Sequence, residues 1–163
     1  MKPKILKLSL VFLLFALIGV SCQDEEELPP LKDKQLTVSE IKSQGCKDHL
    51  KSTDTERYIE LKAEGENRLW VKFVNARFNC CPGEITTNAF IKNDTLKVVF
   101  IEQYPGGCNC ICDFDLECVI DSMENRKYNI GVYAHRSIYE EPNSKFTFNY
   151  SKGLDTTIKI SNN

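Results

Sequence analysis

The chain has little of what most enzymatic chemistry is built from. It holds two histidines, His49 and His135, each isolated, and one tryptophan, Trp70. It has no Gly-rich phosphate loop, no nucleophile elbow and no zinc-protease helix, so the reaction classes served by those motifs have no foothold. Charge of one sign is missing too. Lys plus Arg number 21 against 23 Asp plus Glu, a net charge of −2, which leaves no electrostatic footprint for nucleic acid. The apolar run from Leu8 to Val20 spans thirteen residues, short of the roughly 20 needed to cross a bilayer. A long segment with helical periodicity and an internal repeat are both absent. At 163 residues the chain has room for one domain plus appendages.

What is present begins with a basic and then apolar N-terminus. Lys2, Lys4 and Lys7 precede "LSLVFLLFALIGV", the layout of a signal peptide. Gly19, Val20, Ser21 and Cys22 follow. This resembles the lipobox of bacterial lipoproteins, which implies removal of residues 1–21 and lipidation of Cys22. Gly19 stands where that motif has an aliphatic residue, so ordinary cleavage or an uncleaved anchor remain as alternatives. The stretch "QDEEELPPLKDKQ", Gln23 to Gln35, is acidic, Pro-containing and without apolar period. It buries too little apolar surface to offset its chain entropy, and residues 22–35 are expected to form a flexible tether. Acids directly after the cysteine also resemble the surface-export signal of lipoproteins from the Bacteroidota. A plain solvated spacer is the equal alternative.

From Tyr58 onward the apolar pattern has period two. Ile59/Leu61/Ala63, Leu69/Val71/Phe73, Leu96/Val98/Phe100, Tyr128/Ile130/Val132/Ala134, Phe146/Phe148/Tyr150 and Ile158/Ile160 recur at every second position, mostly with polar neighbours between them. Alternation of this kind marks strands with one buried face. Turn residues separate them in "EGEN", "CCPGE", "KNDT", "PGG" and "EEPNS". The segment Leu36 to Gly45 is either a turn of helix or an edge strand. The expectation is all-β: an antiparallel β-sandwich of immunoglobulin-like kind with about seven strands, occupying residues 36–163.

Cysteine is the abundant exception. Beyond Cys22 there are seven: Cys46, Cys80, Cys81, Cys108, Cys110, Cys112 and Cys118, four of them within "GGCNCICDFDLEC". Cys112, Phe114, Leu116, Cys118 and Ile120 share one strand face, and extending that parity backwards places Cys108 and Cys110 inward as well. In an exported protein such thiols oxidise to structural bridges. Residues two apart on a strand are about 6.5–7 Å apart, at or beyond disulfide reach. Partners for the Cys108–Cys112 group should therefore come from Cys46, Cys80 and Cys81, with Cys80 and Cys81 favoured. An odd count leaves one thiol over, and Cys118 is the expected free, buried one. A metal-thiolate site lacks the C-x2-C knuckles of zinc ribbons, and a redox centre lacks the C-x-x-C dithiol. Neither a metal nor a cofactor is expected, although both readings stay open as alternatives.

The paired cysteines, "NDTLKVVFIEQ", a Gly-containing loop, "CNCICDFDLE" and "KYNIGVYA" together resemble a group of small outer-membrane lipoproteins of the Bacteroidota with a CC and C-x-C-x-C pattern. The resemblance covers roughly residues 78–134 and carries no activity with it. Cys118 departs from that pattern, where an aromatic or β-branched residue is expected.

Asp113, Asp115 and Glu117 line one strand face. Such carboxylates could hold calcium or serve a small carbohydrate-active or other hydrolase, but a solvated outer face is the favoured reading. Trp70 lies off the parity of its apolar neighbours, and core packing is its expected fate. His135, with Arg136 and Tyr139, reads as a loop histidine. "DTL", "DSM" and "DTT" resemble the Bacteroidota O-glycosylation signal, which implies glycans on Thr95, Ser122 and Thr156. The expectation is a non-enzymatic, lipid-anchored outer-membrane protein, held to the membrane by its N-terminus and facing an unknown protein or glycan partner, with no nucleic acid involved.

Overall fold

The structure, a computed structural model, describes residues 28–47, 56–103, 109–135 and 141–160. Ten strands occur among them: β1 Lys34–Leu36, β2 Val38–Gln44, β3 Arg57–Glu64, β4 Arg68–Asn79, β5 Ile85–Lys92, β6 Thr95–Glu102, β7 Ile111–Ile120, β8 Lys127–His135, β9 Ser144–Asn149 and β10 Asp155–Ile160. They form two five-stranded sheets, ordered β1-β5-β6-β8-β9 and β10-β3-β4-β7-β2. The alternating inner faces meet in one core. Ile59, Leu61, Val71, Phe73 and Leu116 of the second sheet pack against Ala89, Leu96, Val98, Phe100, Ile130 and Val132 of the first. Each such side chain contributes about 1.5–3 kcal/mol through removal from water. The molecule is a β-sandwich.

Three strands lay outside the expected count of about seven. β5 reads Ile85, Thr87, Ala89, Ile91 on its buried face, and threonine and alanine blur the apolar alternation there. β1 and β2 resolve the Leu36–Gly45 segment into edge strands. The sandwich also starts earlier than residue 36. The Leu31 N–H donates to Asp94 Oδ1 at 2.8 Å and the Asn93 N–H donates to Asp33 Oδ1 at 2.9 Å, so the last residues assigned to the tether are bound to the β5–β6 turn. In that turn Asn93 and Asp94 both have positive φ, 51° and 56°, as a two-residue hairpin turn of type I′ requires.

All neighbouring strands run antiparallel except β6 and β8, which are parallel. Ten strands and a parallel pair depart from the seven- or nine-stranded immunoglobulin arrangement. One local device is shared with that fold. Where the chain crosses between sheets after β7, buried Tyr128 accepts a hydrogen bond from the Glu124 N–H, 2.9 Å away.

Two bulges adjust the second sheet. Val74 and Asn75 together face Asp115 on β7, with Asn75 at φ 58°, so one extra residue shifts the parity of β4. Without it, Ala76 and Phe78 would point outward. In β2 the extra residue falls between Ser39 and Lys42, with Glu40 at φ 51°. Trp70 does not enter the core. It sits half-buried on the outer face, with Lys62 Nζ 5.8 Å from its ring centroid.

Candidate functional site

The cysteines gather where three strands of the second sheet end. Asn79 of β4 and Ile111 of β7 are the last register partners. One step beyond, the Cys80 N–H donates to the Cys110 carbonyl at 3.2 Å, and these residues are disulfide-bonded with Cα atoms 5.6 Å apart. On the other flank, β2 ends at Gln44 opposite Asp115, and the Lys47 N–H donates to the Asp113 carbonyl at 3.1 Å. Cys46 between them is bridged to Cys112, Cα to Cα 5.2 Å. β7 is therefore stitched to both of its neighbours. Gly45 permits this approach, because a Cβ there would fall 1.8 Å from the Phe114 ring.

Cys81 is disulfide-bonded as well, and its N–H donates to Asn79 Oδ1 at 2.9 Å. Cys22 and Cys108 lie outside the described residues. Cys80 takes a member of the Cys108–Cys112 group, as favoured from the sequence, and Cys112 takes Cys46, another of the candidate partners, because β2 forms the edge next to β7. One detail differs from the sequence reading. Cys110 is exposed rather than inward, because β7 starts only at Ile111 and strand parity cannot be carried past that point. The rim is graded: Cys112 is 1% exposed, Cys80 is half-buried, and Cys46, Cys81 and Cys110 face solvent. The sulfurs of Cys46, Cys80 and Cys112 all lie within 4.8 Å of one another.

Cys118 is free and wholly buried, further along the inner face of β7. Burial pushes its thiol up to about 12, so at neutral pH it is a small hydrophobe and not a nucleophile.

The outer face of β7 is not the solvated acidic strip expected. Asp113 is 1% exposed and pairs with Arg77 at 3.8 Å. Asp115 is bound by Lys47, accepts the Asn75 N–H at 3.1 Å, and has Lys72 at 4.0 Å. Glu117 takes Lys72 at 3.1 Å. Burial pulls the Lys72 ammonium down, but the hydrogen bond and charge of Glu117, with Asp115 and Glu60, outweigh it and raise its pKa above 10.5. Burial lowers Arg57, as does neighbouring Arg77, while Asp113 works in the opposite sense. Lys47 also donates to Asn75 Oδ1 at 2.9 Å, and Asn75 Nδ2 donates to the Glu56 carbonyl at 2.7 Å. Asp115 thereby holds the β4 bulge and the end of β2 in place. No sequence signal marked that role, since Lys47, Lys72 and Asn75 sit 40–68 residues away from the carboxylates they contact.

The three glycosylation candidates scatter over the molecule. Thr95 opens β6 half-buried, Ser122 is exposed with φ 64°, and Thr156 lies half-buried as the second residue of β10. A shallow cavity of about 290 Å³ lies elsewhere, lined by Pro29, Pro30, Leu31, Lys32, Lys34, Glu124 and Arg126.

These features define a class: a β-sandwich in which an acidic strand next to the sheet edge is fastened to both neighbours by disulfides at one rim. No protein-family model matches the chain, and neither does any curated protein or solved structure.

Proposed function

We propose that this chain is a lipid-anchored outer-membrane protein whose sandwich serves as a non-enzymatic binding or accessory module, in adhesion or in a surface complex. The observation that carries this reading is the cysteine rim. Structural bridges persist in oxidising compartments outside the cytosol, and Cys46–Cys112 and Cys80–Cys110 belong to such a setting. The N-terminal pattern ending in Cys22 supports delivery there and attachment to the membrane. The ion-paired state of Asp115 and Glu117 supports a structural role for the acidic strand rather than a hydrolytic one.

The test is to express the full chain in a Bacteroidota host and fractionate the membranes. Wild type should appear in the outer membrane with lipid mass on its N-terminus, and protease added to intact cells should report surface exposure. Cys22→Ala should move to the soluble fraction. An unchanged distribution of Cys22→Ala would refute the anchor. Glycoside or ester turnover that disappears in Glu117→Gln would refute the non-enzymatic reading.

A further inference from the structure

We propose that Cys46, Cys80, Cys110 and Cys112 form a redox-gated site for a single thiophilic cation, with Zn²⁺ in tetrahedral thiolate coordination as the resident form once both bridges are reduced. Three of the four sulfurs already lie within 4.8 Å of one another, although they belong to two different bridges. The fourth, on Cys110, is bonded to that of Cys80. With Zn–S bonds of about 2.3 Å, tetrahedral geometry puts the sulfurs about 3.8 Å apart. Once reduced, the sulfurs of each bridge must part from a bonded distance of about 2 Å to about 3.8 Å, while Cys80 closes on the Cys46–Cys112 pair from within 4.8 Å; movements on the order of 1–2 Å are within the reach of χ1 rotation.

The ligands come from three adjacent strands and not from knuckles, which is why their spacing along the chain does not look like a zinc motif. Cys110 and Cys112 sit two apart where the chain enters β7, with Cys80 on the β4 side and Cys46 on the β2 side. The strands that carry them are held by backbone hydrogen bonds as well as by the bridges. The Cys80 N–H to Cys110 carbonyl bond, the Phe78 and Cys112 register pair and the Lys47 N–H to Asp113 carbonyl bond all belong to the backbone ladder. Reduction of these two bridges would free four thiols while the strands that carry them stay paired. The exposed Cys46 and Cys110 give a reductant its entry, while buried Cys112 forms the dry floor of the site.

The chemistry balances as follows. A dithiol reductant attacks one sulfur of each bridge through a mixed disulfide. Each bridge takes up two electrons and two protons, and each dithiol leaves as its own disulfide. Zn²⁺ then displaces four thiol protons and is held by four thiolates, so binding is pH-dependent and releases protons.

The full chain in detergent is reduced under anaerobic conditions and titrated with Co²⁺ and then Zn²⁺, with native mass spectrometry, visible absorption and proton release as readouts. The expected result is one ion per chain, a tetrahedral cobalt–thiolate spectrum that Zn²⁺ bleaches, and release of four protons. Cys46→Ser and Cys80→Ser should each weaken binding by at least about tenfold, and Cys118→Ser should leave it unchanged. The oxidised chain should take up no ion at this site. The proposal is overturned if reduced wild type binds no stoichiometric ion, if the Cys46→Ser/Cys80→Ser double variant retains it, or if the oxidised chain binds as well. Loss of β-sheet circular dichroism on reduction would overturn it as well, since the site depends on a scaffold that survives reduction. Membrane fractionation of the Cys22→Ala variant is unaffected by any of these outcomes, so failure of this proposal is distinct from failure of the anchored-module reading.

Discussion

The two sheets bury similar inner faces but carry unlike outer ones. The sheet built around β4 and β7 is laced with ion pairs. Lys47 and Lys72 hold Asp115, Lys72 holds Glu117, Lys62 holds Asp155, and Arg68 gathers Glu40, Glu64 and Asp121. The sheet around β6 and β8 shows Asn88, Asn129, Thr147 and Asn149 to solvent, with Tyr133 folded over Gly131 beneath Lys97. The described bridges follow the same division. β5–β6 and β8–β9 are joined by neighbours in sequence, and in β5–β6 a two-residue turn sets the register at little entropic cost. β2–β7 and β4–β7 join distant segments, and the bridges with sequence separations of 66 and 30 sit at those two joints. Those cross-links remove loop-closure entropy from the unfolded chain at joints that no tight turn fixes.

The largest effects should be indifferent to this contrast. Phe73 and Phe100 are both fully buried, one in each sheet, and truncation of either to alanine should lower unfolding free energy by about 3–5 kcal/mol. Denaturant melts that differed greatly between the two would show that the sheets do not share one cooperative core. Next come the bridges. Replacing Cys46 and Cys112 together by alanine should lower stability by about 2–4 kcal/mol, with the Cys80/Cys110 pair slightly less because its loop is shorter. Hydrogen exchange should then accelerate in β2 and β7 first, while β5 and β6 stay protected. Equal acceleration in both sheets would remove the distinction drawn above.

Gly45→Ala should be destabilising by about 1–3 kcal/mol, because the new methyl group meets the Phe114 ring. The companion Gly153→Ala meets nothing within 4 Å and should be near neutral in the same thermal melt. Cys118 supplies a pH-dependent term. Its folded pKa is raised to about 12 from 9.0, so the unfolded chain ionises first. Its contribution is complete below pH 9 and is lost toward pH 12, by up to about 1.4 kcal/mol per pH unit. Urea melts of wild type and Cys118→Ala should diverge in slope only in that alkaline window. At the small end, breaking the exposed Lys152–Glu66 pair with Lys152→Ala should shift stability by less than about 0.5 kcal/mol.

How much of this could be read from the residues depended on range. Strands such as β3 and β7 carry their own evidence, since alternation of apolar with charged residues allows one buried face. β5 hid because Thr87 and Ala89 are weakly apolar although buried. β2 hid because all but its first two residues are exposed. An edge strand with no buried face has no period to display. The acidic face of β7 was visible as a face, but its state was not. Whether a carboxylate is solvated or neutralised depends on which lysines the fold delivers, and Lys47 reaches Asp115 across 68 positions of chain.

The sequence by itself determined the all-β class, the inner face of β7 with Cys118 upon it, and a chain dense in cysteine behind a signal-like N-terminus, because composition and period-two patterning act locally. The tertiary structure alone decided the pairing of Cys46 with Cys112, the exposure of Cys110, the burial of Asp113 and the gathering of three sulfurs at one rim. Each of these depends on which strands become neighbours, and that choice is made by the burial of the whole core rather than by any segment within it.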